Sequence, residues 1–279
     1  MTLPTFNTGA PQIAFIGGGN MASAIIGGLL RQGLDATKIQ VIEPYAEQRA
    51  RLAQQFNVDV SETPGESLRC ATLVVWAVKP QTFREAAQQS QSHTRQALHL
   101  SVAAGIRTDT IVGWLGTERV VRAMPNTPAL IGKGMTALFA RPASTPHDRL
   151  TVEEVMRTTG EFLWLDQEAQ LDAVTALSGS GPAYVFYFIE AMVQAGLDMG
   201  LPQEQAHRLA VGTFVGASAL AHDATDPPEV LRARVTSKGG TTHAALSSMA
   251  QSGIKAQFIQ AMQAARQRAA EMGDEFCGD

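Results

Sequence analysis

Short apolar runs alternate with longer segments of helical spacing through roughly the first 165 residues. The runs are QIAFIG, IQVIE, TLVVWAV, ALHLSVA, RVVRAM, MTALFA and FLWL. Strands this apolar are expected to be buried on both faces, which predicts a largely parallel sheet covered by helices. Residues 21–32 and 45–57 carry the helical spacing expected of such covers. After Asp166 the alternation stops. EAQLDAVTAL, PAYVFYFIEAMVQAGLDMG, PQEQAHRLAVGTFVGASALAHD, PPEVLRARV and KAQFIQAMQAARQRAAEM all read as helices, and Asp226 precedes one whose first position is Pro227. The pattern therefore predicts an α/β domain over residues 11–166 and an all-helical domain over residues 167–279. No Lys or Arg lies between Arg157 and Arg208. That gap marks the helices there as buried, in a core or against another subunit.

Composition narrows the picture little. The 279 residues are 45% hydrophobic and 17% charged, as in a soluble globular protein with large buried surfaces. A net charge of −4 without a basic block argues against a nucleic-acid partner. Cys70 and Cys277 form no CxxC, so neither a disulfide framework nor a zinc site is expected. The opening MTLPTFNTGAPQ lacks the charge and apolar stretch of a signal peptide and reads as a loose tail over residues 1–10. No apolar run reaches the ~18 residues of a membrane span. A cytoplasmic protein is expected.

Candidate chemistry begins at IAFIGGGNMA. Gly17, Gly18, Gly19, Asn20, Met21 and Ala22 fit G-x-G-x-x-A, after a strand and at the opening of a helix. Glycines let the backbone approach a pyrophosphate, and the helix N-terminus stabilises its charge. The α/β domain thus reads as a Rossmann-type, doubly wound dinucleotide-binding domain. Its second strand ends at Glu43, where a ribose contact is expected. An acid there favours NAD, but Pro44 can turn it away and Arg49 and Arg51 follow, so NAD(H) and NADP(H) both stay open. AVKP, residues 77–80, ends another strand on the edge expected to face the cofactor. Lys79 there is either a cofactor contact or a solvated strand-end lysine.

Other chemistries find little support. The six histidines show no metal-ligand spacing, and no metal site is expected. SGSGP, residues 178–182, is not G-x-S-x-G and follows a helical segment, so it reads as a close-packing turn at a helix start. A hydroxyacid dehydrogenase of similar plan would place a lysine acid/base on the first long helix of the second domain, inside the cation-free gap. Reduction of a C=N bond fits better. An imine nitrogen near its pKa arrives partly protonated and needs a hydrogen-bonding partner more than a proton donor. The remaining motif is RVTSKGGTTHAAL, residues 234–246. Its glycines at a helix opening suit a small anion, while Thr241 or Thr242 could equally be an N-cap.

IGGGNMASAI, AVKP, SVAAGI, MPNTP, DAVTALSGSGPAYVF, MGLP and VTSKGGTTHAAL, in this order along nearly the whole chain, resemble pyrroline-5-carboxylate reductase. The resemblance implies reduction of 1-pyrroline-5-carboxylate to L-proline, the last step of proline biosynthesis. NADP(H) is the favoured cofactor. The helical domain is implied to be a dimerisation domain giving a homodimer, with dimers assembled into larger rings. By position Ala77, Val78, Lys79, Pro80, Ala103, Ala104, Asn126 and Glu168 are implied as cofactor-side residues. Ser237, Gly239, Gly240, Thr241 and Thr242 are implied on the substrate side. Amides of Gly239, Gly240 and Thr241 would hold the carboxylate, and the Thr242 hydroxyl would face the ring nitrogen as the catalytic group. This chain departs from the family in three places. Lys238 replaces the usual proline of S-P-G-G, ETPGES stands where an asparagine often faces the adenosine, and Glu43 weakens the inference of NADPH preference. A reductase of a six-membered piperideine carboxylate and a non-catalytic nucleotide sensor are the competing readings.

Overall fold

A computed structural model describes residues 12–276. Eight strands form one sheet: β1 Ile13–Ile16, β2 Ile39–Ile42, β3 Asp59–Ser61, β4 Leu73–Trp76, β5 Leu98–Ser101, β6 Val120–Met124, β7 Gly134–Ala140 and β8 Gly160–Trp164. Their order is β3-β2-β1-β4-β5-β6-β7-β8. Only β6 and β7 pair antiparallel; every other neighbouring pair is parallel. The chain winds outward from β1 to β3 and returns to β4 on the other side of β1. The switch point therefore lies between β1 and β4, where open α/β sheets bind ligands beyond their strand C-termini.

Helices α1 Asn20–Arg31, α2 Ala46–Phe56, α3 Pro80–Thr94, α4 Thr108–Leu115 and α5 Pro146–Arg157 cover the sheet. Alternation along the strands feeds two cores. Ile13 and Phe15 of β1 belong to one, with Ile25, Leu29, Val75 and Leu100. Ala14 and Ile16 belong to the other, with Trp76, Phe83 and Ile111. Each fully buried large side chain contributes about 1.5–3 kcal/mol. β1, β4 and β5 are buried throughout, as their composition predicts. β8 departs from that expectation: as the sheet edge it alternates, leaving Glu161 and Leu163 exposed.

α6 Gln170–Val174 runs into a π-helical turn, Thr175–Gly179, and α7 Gly181–Asp198 follows. The remaining helices are α8 Gln203–Asp223, α9 Pro228–Arg234, α10 Thr241–Gln251 and α11 Ile254–Glu275. The start expected at Pro227 moves by one residue, since Pro227 is the N-cap and Pro228 takes the first helical position. The chain divides into two compact units, residues 1–180 with 265–279, and Gly181–Ala264. The division falls at Ser180 and not near residue 166 because Leu171, Asp172 and Ala176 are buried in the first unit. Within SGSGP, Gly179 packs closely against the end of the Met124 side chain, as the sequence predicts, whereas nothing lies within 4 Å of a Cβ built on Gly181. The tail of residues 1–10 and Cys277 lie outside the described residues.

In the helical unit, α7 and α8 keep few side chains from solvent. Phe186 is 65% exposed, Tyr187 68%, Val215 62% and Leu220 73%. The cation-free gap therefore does not mark a core within one chain. Of the two alternatives it left open, a face that meets another subunit is the one consistent with these exposures.

Within the sheet, His99 of β5 accepts at Nδ1 from the Trp76 indole (3.0 Å) and lies through Nε2 3.1 Å from the Thr94 carbonyl, so its proton belongs on Nε2. Burial pushes its pKa down from 6.5 to about 4, against the upward pull of the Thr94 bond. As pH falls the unfolded chain takes up this proton first. His99 therefore contributes stability above pH 6.5 that is lost progressively down to about pH 4, on the order of 3 kcal/mol in all. We expect melting temperature to fall more steeply across that window in the wild type than in His99→Gln. Parallel pH profiles for the two proteins would contradict this assignment.

Candidate active site

The glycine loop leaves β1 at the switch point, and its three glycines answer to different constraints. Gly17 has φ +92°, and a Cβ there would lie 2.7 Å from the Ala77 carbonyl oxygen and 2.9 Å from Val78 Cγ1. This contact joins the loop after β1 to AVKP after β4. Gly18 is buried, and a Cβ on it would strike Leu52. Gly19 differs: nothing lies within 4 Å of the place its Cβ would occupy. It is the N-cap of α1 and gives that helix no side-chain cap. The first-turn amides of Asn20, Met21 and Ala22 are thus left without a capping side chain beneath open space. Uncapped amides beneath open space have the geometry that a pyrophosphate requires, and the residues present fit a dinucleotide.

Glu43 lies at the end of β2, 6% exposed. Its Oε2 accepts from the Gly18 amide (2.8 Å) and its Oε1 from the Tyr45 amide (3.0 Å). At the position where the sequence suggests a ribose contact, its two oxygens tie the glycine loop and the start of α2 to the end of β2. Arg49, expected as a nearby cation, donates to the carbonyls of Glu43 (2.8 Å) and Pro44 (2.7 Å) and pairs with Glu62 at 3.0 Å. We expect Glu43→Gln to weaken NADH and NADPH binding by similar factors, shifting their ratio by less than about threefold, because the charge acts on amides of the loop. A selective gain for NADPH would instead place the carboxylate at the ribose.

Lys79 is the exposed N-cap of α3, with Pro80 at the first helical position. Ala103 is buried and Ala104 half-buried in the turn after β5. Asn126 spans two segments: its Nδ2 donates to the Ser178 carbonyl (3.1 Å) and its Oδ1 accepts from the Met135 amide (3.0 Å). Glu168 is likewise engaged. Oε1 accepts from the Thr108 amide (2.7 Å) and Arg122 Nη1 (3.0 Å), and Oε2 accepts from the Thr108 hydroxyl (2.6 Å). Both residues, implied by the resemblance to lie on the cofactor side, tie separate segments of the chain together.

The second loop leads into α10, in the helical unit. Gly239 has φ +75°, a left-handed conformation suited to glycine. Gly240 is the N-cap, again without a side-chain cap. Neither Thr241 nor Thr242 caps the helix, so that alternative is set aside. The amides of Thr241, Thr242 and His243 occupy the first turn, where a helix supplies no acceptors of its own. Of the amides expected to bind the anion, that of Gly240 is not available, since it donates to the Ser237 carbonyl at 3.1 Å. A Cβ on Gly240 would also collide with Ser237. Thr242 is half-buried, while Ser237, Lys238 and Gly239 are exposed. The loop therefore leads into a helix start whose first-turn amides have no side-chain cap, a geometry that suits an anion. Among the described residues no cluster of His, Cys, Asp or Glu could hold a metal ion.

The sheet order and the glycine loop at its switch point define the class, a Rossmann-type dinucleotide-binding protein with an added helical unit. Comparison with known proteins gives the particular family. Residues 168–272 match the family model of pyrroline-5-carboxylate reductase dimerisation. Residues 12–105 match that of NADP oxidoreductase, coenzyme F420-dependent. The chain is 45% identical over 268 residues to a pyrroline-5-carboxylate reductase of Pseudomonas aeruginosa, covering 95% of this chain and 98% of the relative. It resembles the solved pyrroline-5-carboxylate reductase of Coxiella burnetii with a TM-score of 0.87 at 36% identity, covering 94% and 98% of the two chains. It also resembles the Plasmodium falciparum pyrroline carboxylate reductase solved with NADP bound, with a TM-score of 0.85 at 25% identity, over 97% and 100%. The chain belongs to the pyrroline-5-carboxylate reductase family.

Proposed function

We propose that this protein reduces 1-pyrroline-5-carboxylate to L-proline with NADPH. The observation that carries the reading is the glycine-threonine loop at an uncapped helix start, within a chain 45% identical across nearly its whole length to a named reductase. The P. falciparum relative solved with NADP bound supports the choice of nucleotide. So does Glu43, whose charge is engaged by the Gly18 and Tyr45 amides.

When bound, the nicotinamide supplies a hydride to the carbon of the C=N bond. The chain does the rest. The first-turn amides of α1 would hold the pyrophosphate, and Ala103 and Ala104 would form the floor for the nicotinamide. The amides of Gly239, Thr241 and Thr242 hold the substrate carboxylate without a cationic side chain, which fixes the ring. The Thr242 hydroxyl hydrogen-bonds the ring nitrogen, whose positive charge in the protonated imine is lost as it becomes an amine. A hydroxyl can both donate and accept, which lets it follow that change.

Steady-state oxidation of NADPH and NADH, each with 1-pyrroline-5-carboxylate and with a piperideine carboxylate, tests the reading. The five-membered substrate with NADPH should give the highest kcat/KM. A preference for the six-membered ring would transfer the activity to that substrate, and no turnover with either would leave a nucleotide sensor.

The assembly we propose is a homodimer through α7 and α8, supported by the match to a dimerisation family and by the exposed Phe186, Tyr187, Val215 and Leu220. Light scattering at micromolar concentration should give twice the chain mass or a multiple of it. An active monomer would contradict the assignment. The compartment we propose is the cytoplasm; among the described residues no helix is long and apolar enough to cross a membrane.

A further inference from the structure

Charged side chains from widely separated parts of the first unit converge on one short turn. The turn is Val102–Arg107, between β5 and α4, and it carries Ala103 and Ala104. On one side Glu168 binds the amide and the hydroxyl of Thr108, the first residue of α4. Glu168 is held in turn by Arg122, which is 3% exposed in the middle of β6. Arg141, just after β7, donates to the Thr108 hydroxyl (3.2 Å) and pairs with Asp109 and with Glu118. On the other side the last turns of α11 close over the loop. Arg107 pairs with Asp274 at 3.0 Å and lies 3.9 Å from Asp172. Gly105, with φ +77°, brings its Cα side to Met272: a Cβ there would stand 3.1 Å from Met272 Cβ.

We infer that Glu168 and Arg107 are positioning residues that brace this turn from both sides and so set the place of the nicotinamide floor. The inference rests on the reductase reading. An ion pair as buried as Arg122–Glu168 recovers little net stability, because desolvation offsets its attraction. What such a pair supplies is a fixed geometry. Here the geometry is that of Thr108, and through it the end of a turn that also has a glycine pinned against a helix. Sub-ångström placement of this floor matters for hydride transfer, which depends steeply on donor–acceptor distance. Neither Glu168 nor Arg107 needs to touch the nucleotide for this.

Glu168→Gln keeps the shape and loses the charge, and Arg107→Met keeps the stem and loses the pairing with Asp274. In the full-length enzyme both are expected to lower kcat by about 10- to 100-fold, while the dissociation constant of NADPH stays within about twofold. The primary isotope effect with 4-deuterated NADPH should rise, since hydride transfer becomes slower relative to the other steps. Amide exchange over residues 102–107 should accelerate, and Arg107→Lys should restore most of the rate. If Glu168→Gln fails to fold, Arg107→Met and Asp274→Asn carry the same test at more exposed positions. A loss of rate that merely follows the loss of folded protein, with isotope effect and exchange at 102–107 unchanged, would overturn the inference. A wild-type enzyme without turnover would instead overturn the reductase reading, and exchange over 102–107 would still report whether the brace exists.

Discussion

Gly19→Val is expected to abolish nucleotide binding while leaving the fold intact. Of the three loop glycines, only Gly19 meets nothing within 4 Å of a built Cβ, and its φ of −70° with ψ −167° suits any residue. Gly17 and Gly18 are different, because side chains there would strike Ala77 and Leu52 and disturb the packing itself. A valine at 19 is therefore tolerated by the protein and fills only the space above the first-turn amides of α1. Losing that space and the approach to those amides should weaken NADPH binding by at least about 100-fold, or about 2.7 kcal/mol. Calorimetry together with a thermal melt checks this. Unchanged affinity in a variant that melts like the wild type would remove the nucleotide from this loop.

Thr242→Val should have the largest effect on turnover. Thr242 is the second residue of α10, and the helix cap is Gly240, which offers no side-chain cap. Its hydroxyl is therefore not spent on capping, and removing it should change stability by well under the ~1 kcal/mol of a lost N-cap. A single hydrogen bond that strengthens as the substrate nitrogen changes charge contributes about 2–4 kcal/mol at the transition state. The expected loss is roughly 30- to 1,000-fold in kcat/KM, with NADPH affinity unchanged. Wild-type kcat/KM in this variant would send the search to another donor.

The sequence made some of these features legible and hid others, for identifiable reasons. The glycine loop is local: strand, turn and helix start lie within about a dozen residues, and each glycine's constraint is written in the motif. The central strands are legible because burial on both faces leaves them wholly apolar. β3 is not, because Asp59-Val60-Ser61 is short and has only Val60 as an apolar residue. α6 and α7 read as two helical runs joined by a turn at SGSGP, but the π turn over Thr175–Gly179, which takes up the end of the first run, is not legible. Its geometry depends on Gly179 meeting Met124 and on Asn126 reaching the Ser178 carbonyl, contacts that span some fifty residues of chain. The same limit hid the pairing of Arg122 with Glu168, and of Arg107 with Asp274. Glu43 shows a further kind of miss. The acid at the end of β2 was legible, but not which amides would engage its two oxygens. In the second loop the glycines at a helix start were legible, while the loss of the Gly240 amide to Ser237 appears only once the turn is built.

The central claim is that this chain moves a hydride from nucleotide to a cyclic imine. Deuterium transfer tests it most directly. Enzyme is incubated with NADPH deuterated at the transferable C4 position and with 1-pyrroline-5-carboxylate, and the product is analysed by mass spectrometry and NMR. The expected result is L-proline carrying a single deuterium at the carbon formerly double-bonded to nitrogen, formed in step with oxidised nucleotide. Recovery of the labelled nucleotide intact, or of proline without the label, would contradict it.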